Sequence, residues 1–297
     1  MIRSTPRPAR LRTRAALLLA VAVAPLVTLL GAAPAPAAPA APSSGYNDWS
    51  CRPSAEHPRP VVLLHGLSSN DQNWTLHGPA LARAGYCAFS LTYGQTPTTR
   101  WWGGGGFAPV ADSGREIGAF IDRVLTQTGA AKVDLVGHSE GAFLSLYVPK
   151  VTGYAGKVGR VVALAPPTHG TTFAGLVTLG QLVGGQPLVA AFTDGATCYA
   201  CTDLVRGGPA VAALTDGPIA QPGVTYTIIG TRYDAVVTPT STSFVREPGV
   251  TNYYIQDRCA FDPVGHIGIA VDSGVTSMIL NGLDPRTPIS CGFGPPF

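Results

Sequence analysis

Short apolar runs alternate with longer amphipathic stretches along this chain, and that rhythm predicts its architecture. Residues 60–64, 86–91, 133–136, 158–164 and 224–230 are continuous apolar or β-rich runs bounded by turn residues. Such runs read as buried strands. A last strand is expected over 250–256. Between them, 74–84 has helical spacing and stops at Gly85. In 111–127, Ile117, Phe120, Ile121, Val124 and Leu125 fall on one helical face. A further helix starts at Ala142, and a closing helix is expected near 271–280. Strands and helices alternating at this spacing imply an α/β fold, a mostly parallel sheet with helices on both faces. Two stretches break the rhythm. Residues 41–56 form a Pro- and Ser-rich lead-in. Residues 168–222 are apolar, Gly-rich and poor in charge, and read as an excursion that caps a site, either a mobile lid or a fixed wall.

The first 40 residues follow a different pattern. Arg3, Arg7, Arg10, Arg12 and Arg14 precede an apolar run from Ala15 to Leu30, and small residues follow from Ala33 to Ala40. A basic start, an apolar middle and small-residue cleavage sites define a secretory signal peptide, removed from the mature protein. A membrane anchor is the rival, but the run is shorter than the roughly 20 residues a spanning helix needs, and Pro25 interrupts it. Cleavage after Ala37 or Ala40 leaves residues 41–297 as one catalytic-size domain. It also removes five Arg and no acid, taking the formal charge from +3 to −2. The apparent basicity therefore belongs to the export signal and does not point to nucleic acid.

Export changes the reading of the cysteines. All six, Cys51, Cys87, Cys198, Cys201, Cys259 and Cys291, lie after the signal. An even count in an exported chain implies disulfides, here with 15 conceivable pairings. The nearest-neighbour set Cys51–Cys87, Cys198–Cys201 and Cys259–Cys291 is the expectation. The single C-x-x-C has no second pair and no paired His, so a metal site is the weaker reading.

Candidate chemistry centres on Gly137-His138-Ser139-Glu140-Gly141, a G-x-S-x-G between a strand and a helix. That context is a nucleophile elbow, which lifts the Ser139 hydroxyl off the end of a sheet. A serine needs a base to take its proton. Of the histidines, only His169 and His266 follow Ser139, and His266 lies in a Gly-flanked loop after the last strand. His65 comes too early and is read as shaping its own loop. The acid belongs in the loop after the penultimate strand, where Asp234 lies; Asp216, Asp257 and Asp262 are its rivals. His65-Gly66-Leu67 follows an early strand, so the backbone N–H groups of Leu67 and Glu140 are the expected oxyanion hole. The Glu140 side chain is expected to face outward or cap its helix. The exposed-looking Trp101-Trp102 pair and the glycines 103–106 either contact substrate or pack as a satellite cluster.

These motifs, His65-Gly66-Leu67, Gly137-His138-Ser139-Glu140-Gly141, the loop Thr231-Arg232-Tyr233-Asp234-Ala235-Val236-Val237 and Gly265-His266, resemble those of secreted actinobacterial lipases of the α/β-hydrolase fold. The likeness is to the small class 2 triacylglycerol lipases and extends over most of 58–280. The acid loop also looks like that of fungal lipase B-type enzymes. The resemblance implies hydrolysis of carboxylic esters or triacylglycerols with no cofactor. The expected partners are a lipid or small ester substrate and, transiently, a lipid interface; the expected state is a secreted monomer. An extracellular acyltransferase using the same triad is the nearest rival, and a non-catalytic binding protein on the same fold is the next.

Overall fold

The computed structural model describes residues 44–185, 187, 191 and 197–297. The expected export signal over 1–40 lies outside the described residues, as do 186, 188–190 and 192–196 of the expected cap.

Seven strands form one parallel sheet: β1 (Gly45–Tyr46), β2 (Val61–Leu64), β3 (Cys87–Leu91), β4 (Val133–His138), β5 (Val158–Leu164), β6 (Thr225–Gly230) and β7 (Val250–Tyr254). Their spatial order is β1-β3-β2-β4-β5-β6-β7, and every pair is parallel. The two residues of β1 lie inside the expected lead-in. A strand that short carries no periodicity, so nothing in the pattern announced it.

Strand side chains alternate between two cores, because successive residues point to opposite faces. Val62, Leu64, Phe89 and Leu135 face one core with Ile117 and Ile121 of α2 (Val110–Thr128) and Phe143 of α3 (Glu140–Val151). Val61, Leu63, Ala88 and Val136 face the other with Leu81 of α1 (His77–Arg83) and Met278 and Ile279 of the closing helix Ser273–Leu283. The periodicity of 111–127 thus reports the buried face of α2 correctly. The stretch 74–84 is divided into a 3-10 turn, Asp71–Trp74, and α1. The Asn70 side chain accepts from the Gln72 N–H and starts the turn early. The last strand stops at Tyr254, two residues before expected, because the Asp257 carboxyl accepts the Tyr254 N–H at 2.9 Å and starts a short helix, Ile255–Arg258.

All three expected disulfides form: Cys51–Cys87, Cys198–Cys201 and Cys259–Cys291. The described part of the cap region contains α4 (Phe173–Gly184) and two short helices, Tyr199–Asp203 and Pro209–Thr215. Because the sheet is parallel, all the loops leaving the carboxyl ends of its strands lie along one edge, where ligands bind in such folds.

Candidate active site

Strand register decides what meets at that edge. β2 pairs with β4 so that Leu64 lies beside Gly137. The loop after β2 therefore runs against the elbow after β4. A Cβ on Gly141 would lie 2.1 Å from the Leu64 carbonyl, and one on Gly137 would lie 2.1 Å from the Gly141 carbonyl. Only glycine permits both approaches, which is why the motif is spaced as it is. Between them Ser139 is held at φ 57° and ψ −120°, an unfavourable backbone for a residue with a side chain. Its N–H is tied to the Leu164 carbonyl at 2.9 Å, and its carbonyl accepts from Phe143 at 3.0 Å.

Ser139, His266 and Asp234, more than thirty residues apart in each case, meet in one hydrogen-bonded chain. The Ser139 hydroxyl lies 2.8 Å from His266 Nε2, and His266 Nδ1 lies 2.8 Å from Asp234 Oδ2. A carboxylate offers only acceptors, so Nδ1 carries the proton and Nε2 is left free to accept one from Ser139. Asp234 Oδ1 in turn accepts the N–H groups of Val236 and Val237 at 2.9 and 2.7 Å. All three residues are buried.

The rival residues have other partners. Asp257 pairs with Arg232. Asp262 Oδ1 accepts from Val264 and Gly294, so it braces its own loop. His169 lies against the Phe244 carbonyl at 3.1 Å. His65 donates through Nδ1 to the Gly66 carbonyl at 2.8 Å, accepts the Tyr93 N–H at Nε2 and stacks on the Tyr93 ring at 4.2 Å. Burial lowers it to about 4, so it is a neutral structural ring beneath the Gly66-Leu67 turn.

One functional neighbour escaped the sequence reading. His138, the residue before Ser139, donates through Nε2 to the His266 backbone carbonyl at 2.9 Å. Burial, and then the nearby His266, lower its basicity to about 3, so it stays a neutral donor. It fixes the backbone of the loop that carries His266. Its place in the G-H-S-E-G motif was the available signal, but an x position carries no role in the pattern.

Leu67, Glu140 and Ser139 line a small cavity of about 10 Å³ with Leu176, Leu179 and Val236. As the first residue of α3, Glu140 has an N–H with no intrahelical acceptor. Its side chain corrects the expectation. The residue is only 1 % exposed, because α3 is buried from Glu140 through Pro149 and has no outward face at this end. Gly105 and Gly106 pack behind the same turn: Gly105 accepts from Ser68 and donates to Ser69, and Gly106 donates to Tyr93. Trp101 is 82 % exposed, while Trp102 packs edge-on to Phe107 at 5.7 Å. The mouth of the site is a cavity of about 240 Å³ that reaches Ser139 and His266 and is walled by Leu179 and Val183 of α4 and by Ile267 and Ala270.

A seven-stranded parallel sheet with the elbow after β4, an acid after β6 and a histidine after β7 is the α/β-hydrolase fold. The model of one family within that fold, Lipase (class 2), matches residues 58–172, the span from β2 through the elbow to the start of the cap. Triacylglycerol lipases of Pseudarthrobacter phenanthrenivorans and Burkholderia plantarii are each 30 % identical to it over 131 residues. The match takes in 40 % of this chain and 36 % and 32 % of theirs. The chain thus spans about a third of the length of these relatives. Aspergillus fumigatus lipase B superposes with a TM-score of 0.61 at 17 % identity, over 86 % of this chain and 56 % of that one. That likeness is one of fold. The resemblance to lipases first carried by the motifs is borne out.

Proposed function

We propose that this protein is a carboxylic ester hydrolase of the lipase and esterase type that works through an acyl-enzyme. The observation that carries the reading is the Ser139–His266–Asp234 chain, with 2.8 Å at each link, at the tip of the elbow. Ser139 attacks the ester carbonyl. His266 takes the hydroxyl proton through Nε2 and returns it to the leaving alcohol, and a water then repeats the sequence on the acyl-enzyme. Asp234 keeps the proton on Nδ1. The Leu67 and Glu140 N–H groups receive the oxyanion. The apolar walls of the 240 Å³ mouth, Leu179, Val183, Ile267 and Ala270, favour uncharged apolar acyl esters, triacylglycerols among them. Residues 168–222 act as the cap over this mouth and meet lipid interfaces transiently. The signal-like residues 1–40 and the three disulfides support an extracellular location.

The test is direct. Ser139→Ala should lower kcat toward p-nitrophenyl esters by about 10⁶, and a fluorophosphonate should label the wild type but not the variant. Ester hydrolysis by Ser139→Ala within tenfold of wild type would overturn the reading.

A further inference from the structure

Glu140 stands next to the nucleophile, yet nothing in the proposed reaction uses its side chain. The carboxyl is enclosed, and neither Oε1 nor Oε2 has a hydrogen-bond partner among the described residues. Its direction is fixed by what it crowds. A Cβ on Gly106 would lie 2.2 Å from Glu140 Oε2 and 3.1 Å from the Leu67 Cα. The carboxyl thus lies under the backbone of the very turn that presents the Leu67 N–H. Glycine at 106 leaves the space it occupies.

The charge state follows from the surroundings. An isolated carboxylate in an apolar enclosure costs many kcal/mol and takes up a proton instead. Among the described residues no cation offsets that cost. The titratable groups facing Glu140 are Asp203, the last residue of the cap helix Tyr199–Asp203, and Tyr93, in the loop after β3, with Glu116 of α2 behind it. Asp203 raises its affinity for a proton further. His65 and His138 are neutral rings, and His266 and Asp234 are committed to each other. Burial first, and Asp203 second, push the Glu140 carboxyl well above the ordinary carboxylate range. The amino-terminal end of α3 favours negative charge, but that same field serves the oxyanion.

We propose that Glu140 is a positioning residue of the oxyanion hole, a neutral carboxylic acid that supports the Leu67 turn and must keep its proton for the hole to hold a developing negative charge. The inference rests on the hydrolase reading and adds a pH limit to it. Once the proton leaves for solvent, a fixed negative charge adjoins the place where the tetrahedral oxyanion forms. Two like charges then repel one another in a low-dielectric site, which weakens the stabilisation the hole gives the oxyanion. Substrate binding precedes that charge, so kcat should fall on the alkaline side while KM changes little.

The experiment compares wild type with Glu140→Gln, which is similar in shape and cannot ionise, and with Glu140→Met as a second neutral variant should the first fail to fold. Two rates are followed from pH 6 to 10, with far-UV circular dichroism at each pH: hydrolysis of p-nitrophenyl butyrate and phosphonylation of Ser139 by a fluorophosphonate. In wild type both rates should drop by about tenfold or more on the alkaline side, the scale of losing part of an oxyanion hole. In either variant the alkaline drop should shrink or vanish, whatever its rate at pH 7. Superposable profile shapes would overturn the inference, as would a variant that loses the same factor at every pH, which is the mark of a packing role alone. A protein that is phosphonylated but hydrolyses no ester would overturn the esterase reading and still test Glu140. A protein that does neither would overturn both.

Discussion

At the scale of single residues, the sequence pattern singled out the candidate residues by order and context. Ser139 was legible because glycines at 137 and 141 sit between a strand and a helix, and the structure shows the backbone contacts that demand them. Asp234 was harder, since Asp257 and Asp262 lie much closer to His266 in sequence. What separates them is the hydrogen bond to His266 Nδ1 at 2.8 Å, a contact that only the fold creates. Asp234→Asn should keep the fold and lower kcat by about 10⁴, because an amide stabilises the wrong histidine tautomer. Asp262→Asn should cost far less, since that group braces its loop through Val264 and Gly294. Steady-state kinetics of both variants decides the matter, and a larger loss in Asp262→Asn would refute the assignment of the acid. The inward Glu140 side chain was not legible. Charged residues usually face water, and the enclosure that defeats that rule is made by Leu67, Gly106 and cap residues distant in sequence.

At the scale of elements, long periodic stretches were read well and short or side-chain-capped ones were not. α2 declares itself through its apolar face. The two-residue β1 and the early end of β7 do not, because one depends on pairing with β3 and the other on the Asp257 carboxyl. The loop carrying His266 shows how an element unremarkable in sequence is held. Asp262 and Asp272 flank it, both buried. Asp272 caps the closing helix by accepting the Gly274 N–H at 2.6 Å, an arrangement that favours its ionised form. Burial, and then the neighbouring Asp262 carboxyl, outweigh the cap and raise Asp272 to about 6. A carboxyl whose folded value lies above its unfolded value of about 3.9 binds its proton more tightly in the native state. Its contribution to stability is therefore greatest below pH 4 and is lost as pH rises from about 4 to about 6. Asp272→Asn retains a cap and removes that titration. Urea midpoints at pH 4, 5, 6 and 7 should show the variant gaining on the wild type across this window. A wild-type-to-variant difference that stays constant with pH would show that Asp272 does not titrate there.

At the scale of the whole molecule, residues 294–297 hold the loop of the proposed base, His266, in place. Gly265 donates to the Pro295 carbonyl at 2.9 Å, Gly268 donates to the Phe297 carbonyl at 2.7 Å, and Gly294 donates to Asp262. The segment 291–297 thus lies along the His266 loop as a strap, and the Cys259–Cys291 disulfide fixes its start. The cysteines are 32 positions apart in sequence, and the loop they close contains His266. The chain-entropy model gives roughly 3–4 kcal/mol for a loop of this size, a large share of the about 5–15 kcal/mol by which a domain is stable. If the strap were only an anchor, opening the bridge would lower Tm and leave the rate of the folded enzyme alone. The hydrogen bonds to Gly265 and Gly268 on either side of His266 argue for more. A loosened strap releases both flanks of the base, and a base displaced by about 1 Å can cost as much as 10² in rate. Cys259→Ser/Cys291→Ser should therefore lower Tm and also lower kcat at temperatures where circular dichroism still reports a folded protein. A variant with lower Tm and wild-type kcat would reduce the bridge to a purely structural role, and peptide mapping that pairs either cysteine elsewhere would end the idea.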